Sequence, residues 1–163
     1  MNYIFSFDPL LNKSCKILVV GSMPSPKSLE KAQYYENPRN HFWGLMGCVL
    51  GLDMPEDYAE RCQILLERGI GLYDSIQSCI RPGALDSNIK NDTANDINHL
   101  VFESSVRLLA FNGRKSYDVY YKNWSLPKDT FELLLPSSSP IPRKNMITLE
   151  DKLPFWLKLR DYL

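Results

Sequence analysis

The run at 16–21, KILVVG, is short, apolar and β-branched, and it closes on a glycine. That pattern predicts a buried strand ending in a turn. Three more runs of the same kind follow: 70–76 (IGLYDSI), 106–111 (VRLLAF, closed by Asn112-Gly113) and 131–135 (FELLL). Between them the apolar positions move to helical spacing. Phe42, Leu45, Met46, Val49 and Leu50 mark a helix over 41–50. Asp57 and Glu60 stand three apart before Cys62, Leu65 and Leu66, which resembles a capping box opening a second helix, with Gly69 closing it. A third helix is expected over 95–103, a fourth through Tyr117, Tyr120, Tyr121 and Trp124, and a closing one through Leu153, Trp156, Leu157 and Leu163, with Pro154 near its start. The stretch 22–40, with three prolines and little periodicity, reads as a long loop with room for one turn of helix. The stretch 78–93, with Pro82, Gly83 and several Asn and Asp, reads as loop. Strands alternating with helices predict an α/β sandwich around a mainly parallel sheet.

In such sheets ligands bind beyond the carboxyl ends of the strands. Three strand ends here carry unusual sequences: GSMPSP at 21–26, FNG at 111–113 and PSSSP at 136–140. They are expected to converge on one site. Loops longer than about 15 residues inside a compact domain are usually functional, which adds 22–40 to the same site.

Composition narrows the class. The chain has 163 residues, expected to form one domain over 1–163, long enough to bury a core without disulfides or metals. No apolar run approaches the roughly 20 residues of a membrane span, and the N-terminus lacks the pattern of a secretory signal. Nineteen basic residues balance nineteen acidic ones. Bulk attraction to nucleic acid is thereby removed as an argument, although a local basic patch remains compatible with it. Cys15, Cys48, Cys62 and Cys79 are scattered with no C-x-x-C pair, and only His41 and His99 could add imidazoles, so neither a metal nor an iron–sulfur cluster is expected. The cysteines read as reduced thiols of a cytoplasmic protein.

The usual phosphate cradles and the G-x-S-x-G nucleophile elbow are absent. What remains is polar and nearly uncharged. Tyr34, Tyr35, Asn37, Pro38, Arg39, Asn40, Phe42 and Trp43 make an aromatic and amide-rich block, and Ser137, Ser138 and Ser139 form a small loop stiffened by Pro136 and Pro140. Aromatics can stack on a base, amides can read its edge, and small hydroxyl loops with backbone N–H groups can contact phosphates.

Five segments together resemble the uracil-DNA glycosylase superfamily, and within it the hypoxanthine-DNA (DNA-deoxyinosine) glycosylase branch. They are GSMP at 21–24, YYENPRNHFW at 34–43, DSIQSC at 74–79 with RPGALDSNI at 81–89, FNGRK at 111–115, and LPSSSP at 135–140. The resemblance covers most of the chain. It implies a three-layer α/β sandwich with a four-stranded parallel sheet flanked by helices. It also implies a monofunctional, cofactor-free enzyme that flips a deaminated base out of DNA and hydrolyses its N-glycosidic bond in base excision repair, with hypoxanthine the leading substrate and uracil or xanthine also compatible. Flipping costs a few kcal/mol and least at a mispaired base, which suits such substrates. The protein would be a monomer acting at the nucleoid.

Other branches carry Asn or Asp where Met23 stands, and a thioether cannot orient water. In the hypoxanthine branch the catalytic amide lies in the later block, which maps onto Asn40. Asn40 also stands where a helix cap would, and the two roles are compatible. Tyr35, with Tyr34 as the second choice, maps onto the aromatic that stacks on the base. Gly21, Ser22, Met23, Pro24, Phe42 and Asn112 are the other expected pocket residues, Met23 through its backbone, and Phe42 and Trp43 also fit a supporting core. Ser137, Ser138, Ser139 and Pro140 map onto the loop that enters the minor groove. Ile141 is a candidate wedge for the gap left by the base, and Arg143 and Lys144 are candidate phosphate contacts. Asp74, Ser75, Asp86, Ser87 and Asn88 are expected to brace the loops by hydrogen bonding. Two other readings fit the same residues: a non-catalytic module that only binds DNA or nucleotides, and a small-molecule hydrolase on the same scaffold.

Overall fold

The fold is organised by strand β2 (Ile17–Gly21), every residue of which is buried. Ile17 and Val19 enter one apolar cluster and Leu18 and Val20 another, so the strand is packed on both faces. A strand buried on both sides has to be apolar throughout rather than alternating, which is why KILVVG reads as it does. In this computed structural model, which describes residues 2–163, β2 pairs in parallel with β3 (Ile70–Asp74) and with β6 (Leu108–Asn112), and β6 with β7 (Phe131–Leu135). The order is β3-β2-β6-β7. This is the expected four-stranded parallel sheet.

Helices cover both faces. On one side lie α2 (Phe42–Leu50), α3 (Tyr58–Glu67) and α6 (Leu149–Trp156), which bury Leu45, Met46, Leu65 and Trp156 against Ile17 and Val19. On the other lie α4 (Ile97–Glu103) and α5 (Arg114–Asn123), which bury Ile97, Val101 and Tyr120 against Leu18, Val20, Leu109 and Phe111. The caps follow the sequence signals in part. Asp57 accepts from the backbone N of Glu60 at the start of α3, and Thr148 and Asp151 form a full capping box at the start of α6. That box opens the last helix at Leu149, earlier than the apolar spacing indicates, and places Pro154 inside it. The chain ends in a 3₁₀ turn over Leu157–Tyr162. The single helical turn in the proline-rich stretch is α1 (Pro26–Lys31), capped by Ser25 with Pro26 at its first position.

One expectation fails. The stretch 78–93 is not all loop. β1 (Ile4–Phe5), β4 (Ile76–Ile80) and β5 (Lys90–Ala94) form a small antiparallel sheet in the order β1-β4-β5. β4 follows β3 after the single residue Ser75, so one apolar run serves two sheets. β5 reads KNDTA and lies mostly exposed, so it has no apolar alternation to reveal it. This edge sheet positions the 3₁₀ turn Asp86–Asn88 beside the end of β2.

Leu109 lies fully buried at the centre of the sheet. Leu109→Ala is expected to cost about 2–5 kcal/mol in urea unfolding. Phe102→Ala, at a side chain 74% exposed, should change stability by less than about 0.5 kcal/mol.

Candidate active site at the strand ends

Because the four strands are parallel, Gly21, Asp74, Asn112 and Leu135 end on one edge of the sheet; register pairs Gly21 with Asp74 and Asn112 with Leu135. The loop after β7 is drawn onto this edge by a reciprocal pair. Asn112 accepts at Oδ1 from the backbone N of Ser138 at 2.8 Å and donates from Nδ2 to Ser138 Oγ at 2.9 Å. Both side chains are buried. Gly113 (φ +93°) makes this approach possible, since a Cβ there would stand 3.0 Å from that of Ser137. The chain before α2 joins the same loop, because His41 N donates to the Ser138 carbonyl at 2.9 Å.

Asn40 sits at that junction. The cap position of α2 falls on His41, which makes no side-chain cap bond, so Asn40 stands one residue before the expected place; its Oδ1 accepts from the backbone N of Phe42 at 2.9 Å, an Asx turn that satisfies the first N–H of the helix. Its Nδ2 has no partner among the described residues. The side chain is therefore fixed through its acceptor and keeps a free donor.

Tyr35 stacks on Phe42, with ring centroids 4.0 Å apart and planes 20° from parallel. Its backbone is left-handed, at φ +56°, a costly conformation for a bulky residue. The stack holds the ring there, while its hydroxyl is buried without a hydrogen-bond partner. That hydroxyl lies close above Gly21, where an added Cβ would stand 3.0 Å from it and 2.5 Å from Asp74 Oδ1. Glycine is thus the one residue that lets the tyrosine and the carboxyl meet over the end of β2.

Asp74 is the side chain that sequence reasoning undervalued. It is only 3% exposed, and its Oδ2 is buried with no partner. It braces nothing through its carboxyl; only its backbone carbonyl is used, by Asn95 Nδ2 at 2.8 Å. Burial raises its pKa to about 7, and the negative charge of Asp86 adds to the rise while Arg81 opposes it. A carboxyl in this state is a neutral acid up to neutral pH, with one donor and one acceptor. Asp86 does brace, accepting from Ser22 Oγ through both oxygens at 3.0 and 3.1 Å. It too is pushed up by burial, against the pull of Ser22, Arg81, Lys115 and Arg143.

Other expected residues are placed differently. The Met23 side chain packs in a small core with Ile76, Cys79 and Val119, and Pro24 is buried with its carbonyl taken by Arg81 Nη2 at 2.8 Å. Phe42 is fully buried behind Tyr35, so it supports the stack rather than touching a ligand. Tyr34 is core, its hydroxyl donating to the Asp8 carbonyl at 2.8 Å. Ser138 and Asn112 are spent on each other, so Ser138 does not face outward as a phosphate contact. Ser137 Oγ accepts from Ser139 N, and Ser139 Oγ from Ile141 N, which stiffens the loop between Pro136 and Pro140. Beyond it Ile141, Pro142, Arg143 and Lys144 are exposed, a short apolar tip followed by two cations.

Sequence reasoning passed over Lys152 altogether. This lysine on α6 is only 1% exposed, with Nζ 3.0 Å from His41 Nδ1 and donating to the Ser139 carbonyl at 3.0 Å. Burial lowers its pKa, and Arg143 adds to that. No local pattern on α6 marks it. Among the described residues no group of three or more His, Cys, Asp or Glu is placed to hold a metal ion. Two surface clefts, of about 630 and 980 Å³, lie away from the strand ends, around Trp43 and Arg61 and around Phe7 and Tyr58.

The chain is similar to known proteins along most of its length. It is 35% identical over 140 residues to the hypoxanthine DNA glycosylase of Methanosarcina acetivorans, covering 85% of this chain and 87% of that one. It is 36% identical over 112 residues to that of Methanosarcina barkeri (strain Fusaro), covering 68% and 71%. Its fold matches a solution NMR structure of a Methanosarcina acetivorans protein provisionally named a uracil DNA glycosylase, with a TM-score of 0.82, 30% identity and 99% of each chain covered. No model of a known protein family matches the chain.

The raised Asp74 has a consequence for stability. In the unfolded chain it titrates near 3.8, in the folded protein near 7. The folded state therefore holds the proton more tightly. The stabilising contribution is complete at low pH and is lost as pH rises through about 7, an effect on the order of a few kcal/mol. Asp74→Asn should flatten this fall and be the more stable protein at about pH 8.5, measured by urea unfolding against wild type.

Proposed function

The chain belongs to the uracil-DNA glycosylase superfamily, in the hypoxanthine DNA glycosylase branch, and from that premise we propose that it excises hypoxanthine from DNA, with Asn40 at the reacting sugar and Asp74 reading the base. It is a DNA glycosylase; the choice of base and the residue roles are our reading. The observation that carries it is Asn40, whose amide is pinned by Phe42 N while Nδ2 stays free, one residue from the backbone bond that joins it to the strand-end loop.

Hydrolysis breaks the bond between C1′ and the base nitrogen. The electron pair leaves with the base, the sugar acquires oxocarbenium character, and a water oxygen closes on C1′ as it loses a proton. The departing base takes up a proton. A donor held in place before the reaction stabilises the developing negative charge without reorganising, and Asn40 Nδ2 is such a donor. The second lone pair of its Oδ1 can hold the water. Hypoxanthine presents N1–H beside the O6 carbonyl. A neutral carboxyl complements that pair, accepting from N1–H and donating to O6, whereas a carboxylate can only accept. Tyr35 offers an aromatic face beside Gly21 for the flipped base. Ile141 is the apolar wedge and Arg143 and Lys144 the phosphate contacts, all on the exposed tip of one loop. The reading as a small-molecule hydrolase has no counterpart for this tip.

Base release from a duplex carrying hypoxanthine, read by alkaline cleavage of abasic sites, should fall about 10²–10³-fold in Asn40→Ala. Loss of the bond to Phe42 N should cost only about 1 kcal/mol of stability, too little to explain that fall. Full activity in a folded Asn40→Ala would move the catalytic role elsewhere. Activity should also decline as pH rises through about 7, where Asp74 ionises and loses its donor. Asp74→Asn keeps a donor and an acceptor, so its profile should lack that decline.

A further inference from the structure

Lys152 buries a cation with no carboxylate bonded to it. Among the described residues its Nζ partners are His41 Nδ1 and the Ser139 carbonyl, both at 3.0 Å. Neither partner balances the charge, and a buried ammonium without an ion pair is costly. The arrangement spans three segments: α6 through Lys152, the serine loop through Ser139, and the residue after Asn40 through His41. The loop and His41 are joined a second time by the bond from His41 N to the Ser138 carbonyl.

The chemistry of the contact sets the state of the ring. An ammonium has donors only, so the His41 nitrogen facing it has to accept. The proton of a neutral imidazole then sits on Nε2. Protonating Nδ1 would place two cations about 3 Å apart.

We propose that Lys152 is a positioning residue of the glycosylase site, which holds His41 as the neutral Nε2–H tautomer and fastens the segment bearing Asn40 to the serine loop. This rests on the reading of Asn40 given above. The groups facing His41 agree. Burial and Lys152 both lower its pKa, and Glu150, also on α6, opposes them more weakly. Lys152 itself is faced by Arg143 from the exposed tip and by Asp151 from its own helix. The benefit lies in the reaction: a fixed neutral ring adds a donor beside Asn40 without adding positive charge next to a sugar that is becoming cationic.

The test begins on the wild-type protein, where no variant has to fold. Nitrogen NMR of the His41 ring, with and without a hypoxanthine duplex, should show the Nε2–H tautomer and protonation only below the ordinary imidazole range. An Nδ1–H tautomer, or titration near the ordinary value of about 6.5, overturns the proposal. Lys152→Met then removes the donor and keeps the volume. In that variant His41 should titrate near about 6.5, and base release relative to wild type at the same pH, which removes the shared effect of Asp74, should fall by up to about tenfold from pH 8 to pH 5.5. A folded Lys152→Met with unchanged His41 titration and an unchanged pH profile overturns the proposal. Should neither protein release any base, the glycosylase reading fails, while the NMR arm still decides the state of His41.

Discussion

The site depends on one reciprocal pair of hydrogen bonds, that between Asn112 at the end of β6 and Ser138 in the loop after β7. Two bonds to a charge-free, buried partner are directional and unscreened, so they fix where the loop sits and how it is turned. Ser138 then offers its carbonyl to His41 N, and Ser139 offers its own to Lys152. Through these contacts the start of α2, the serine loop and α6 converge on a sheet edge that would otherwise hold only strand ends. Asn40 is held within this frame.

The second constraint is desolvation. The net charge of the chain is zero and the strand-end cluster is almost free of paired charge. Burial, with Asp86 nearby, raises the Asp74 pKa to about 7, and burial with Arg143 lowers that of Lys152. A pocket built from a neutral acid, amides, hydroxyls and a neutral imidazole can meet a neutral base edge group by group. The cations Arg143 and Lys144 stand instead on the exposed tip, where water keeps their desolvation cost low.

How far the sequence carried the fold and site depended on the range of the interactions. The four parallel strands were legible because burial on both faces demands continuous apolar runs such as ILVV and LLAF. That the segment before α2 and the serine loop meet at the strand ends was legible because the five resembling segments are local. β5 was not, since a polar edge strand such as KNDTA has no periodic burial. Met23, Phe42 and Ser138 lie in the right segments, yet their side chains turn into the core or onto each other, and only the packing decides that. Asp74 and Lys152 owe their states to burial among residues distant in sequence. Lys152 meets His41 across 111 positions, and no local pattern records such a contact.

The central claim is that this chain cleaves a glycosidic bond by water alone. It is tested most directly by mass spectrometry of both products after incubation with a duplex carrying one hypoxanthine. The account requires free hypoxanthine in solution together with an unbroken strand that has lost only the mass of the base and gained a water. A strand left intact by folded, DNA-bound protein, or a strand cut at the sugar before any alkali is added, would contradict it.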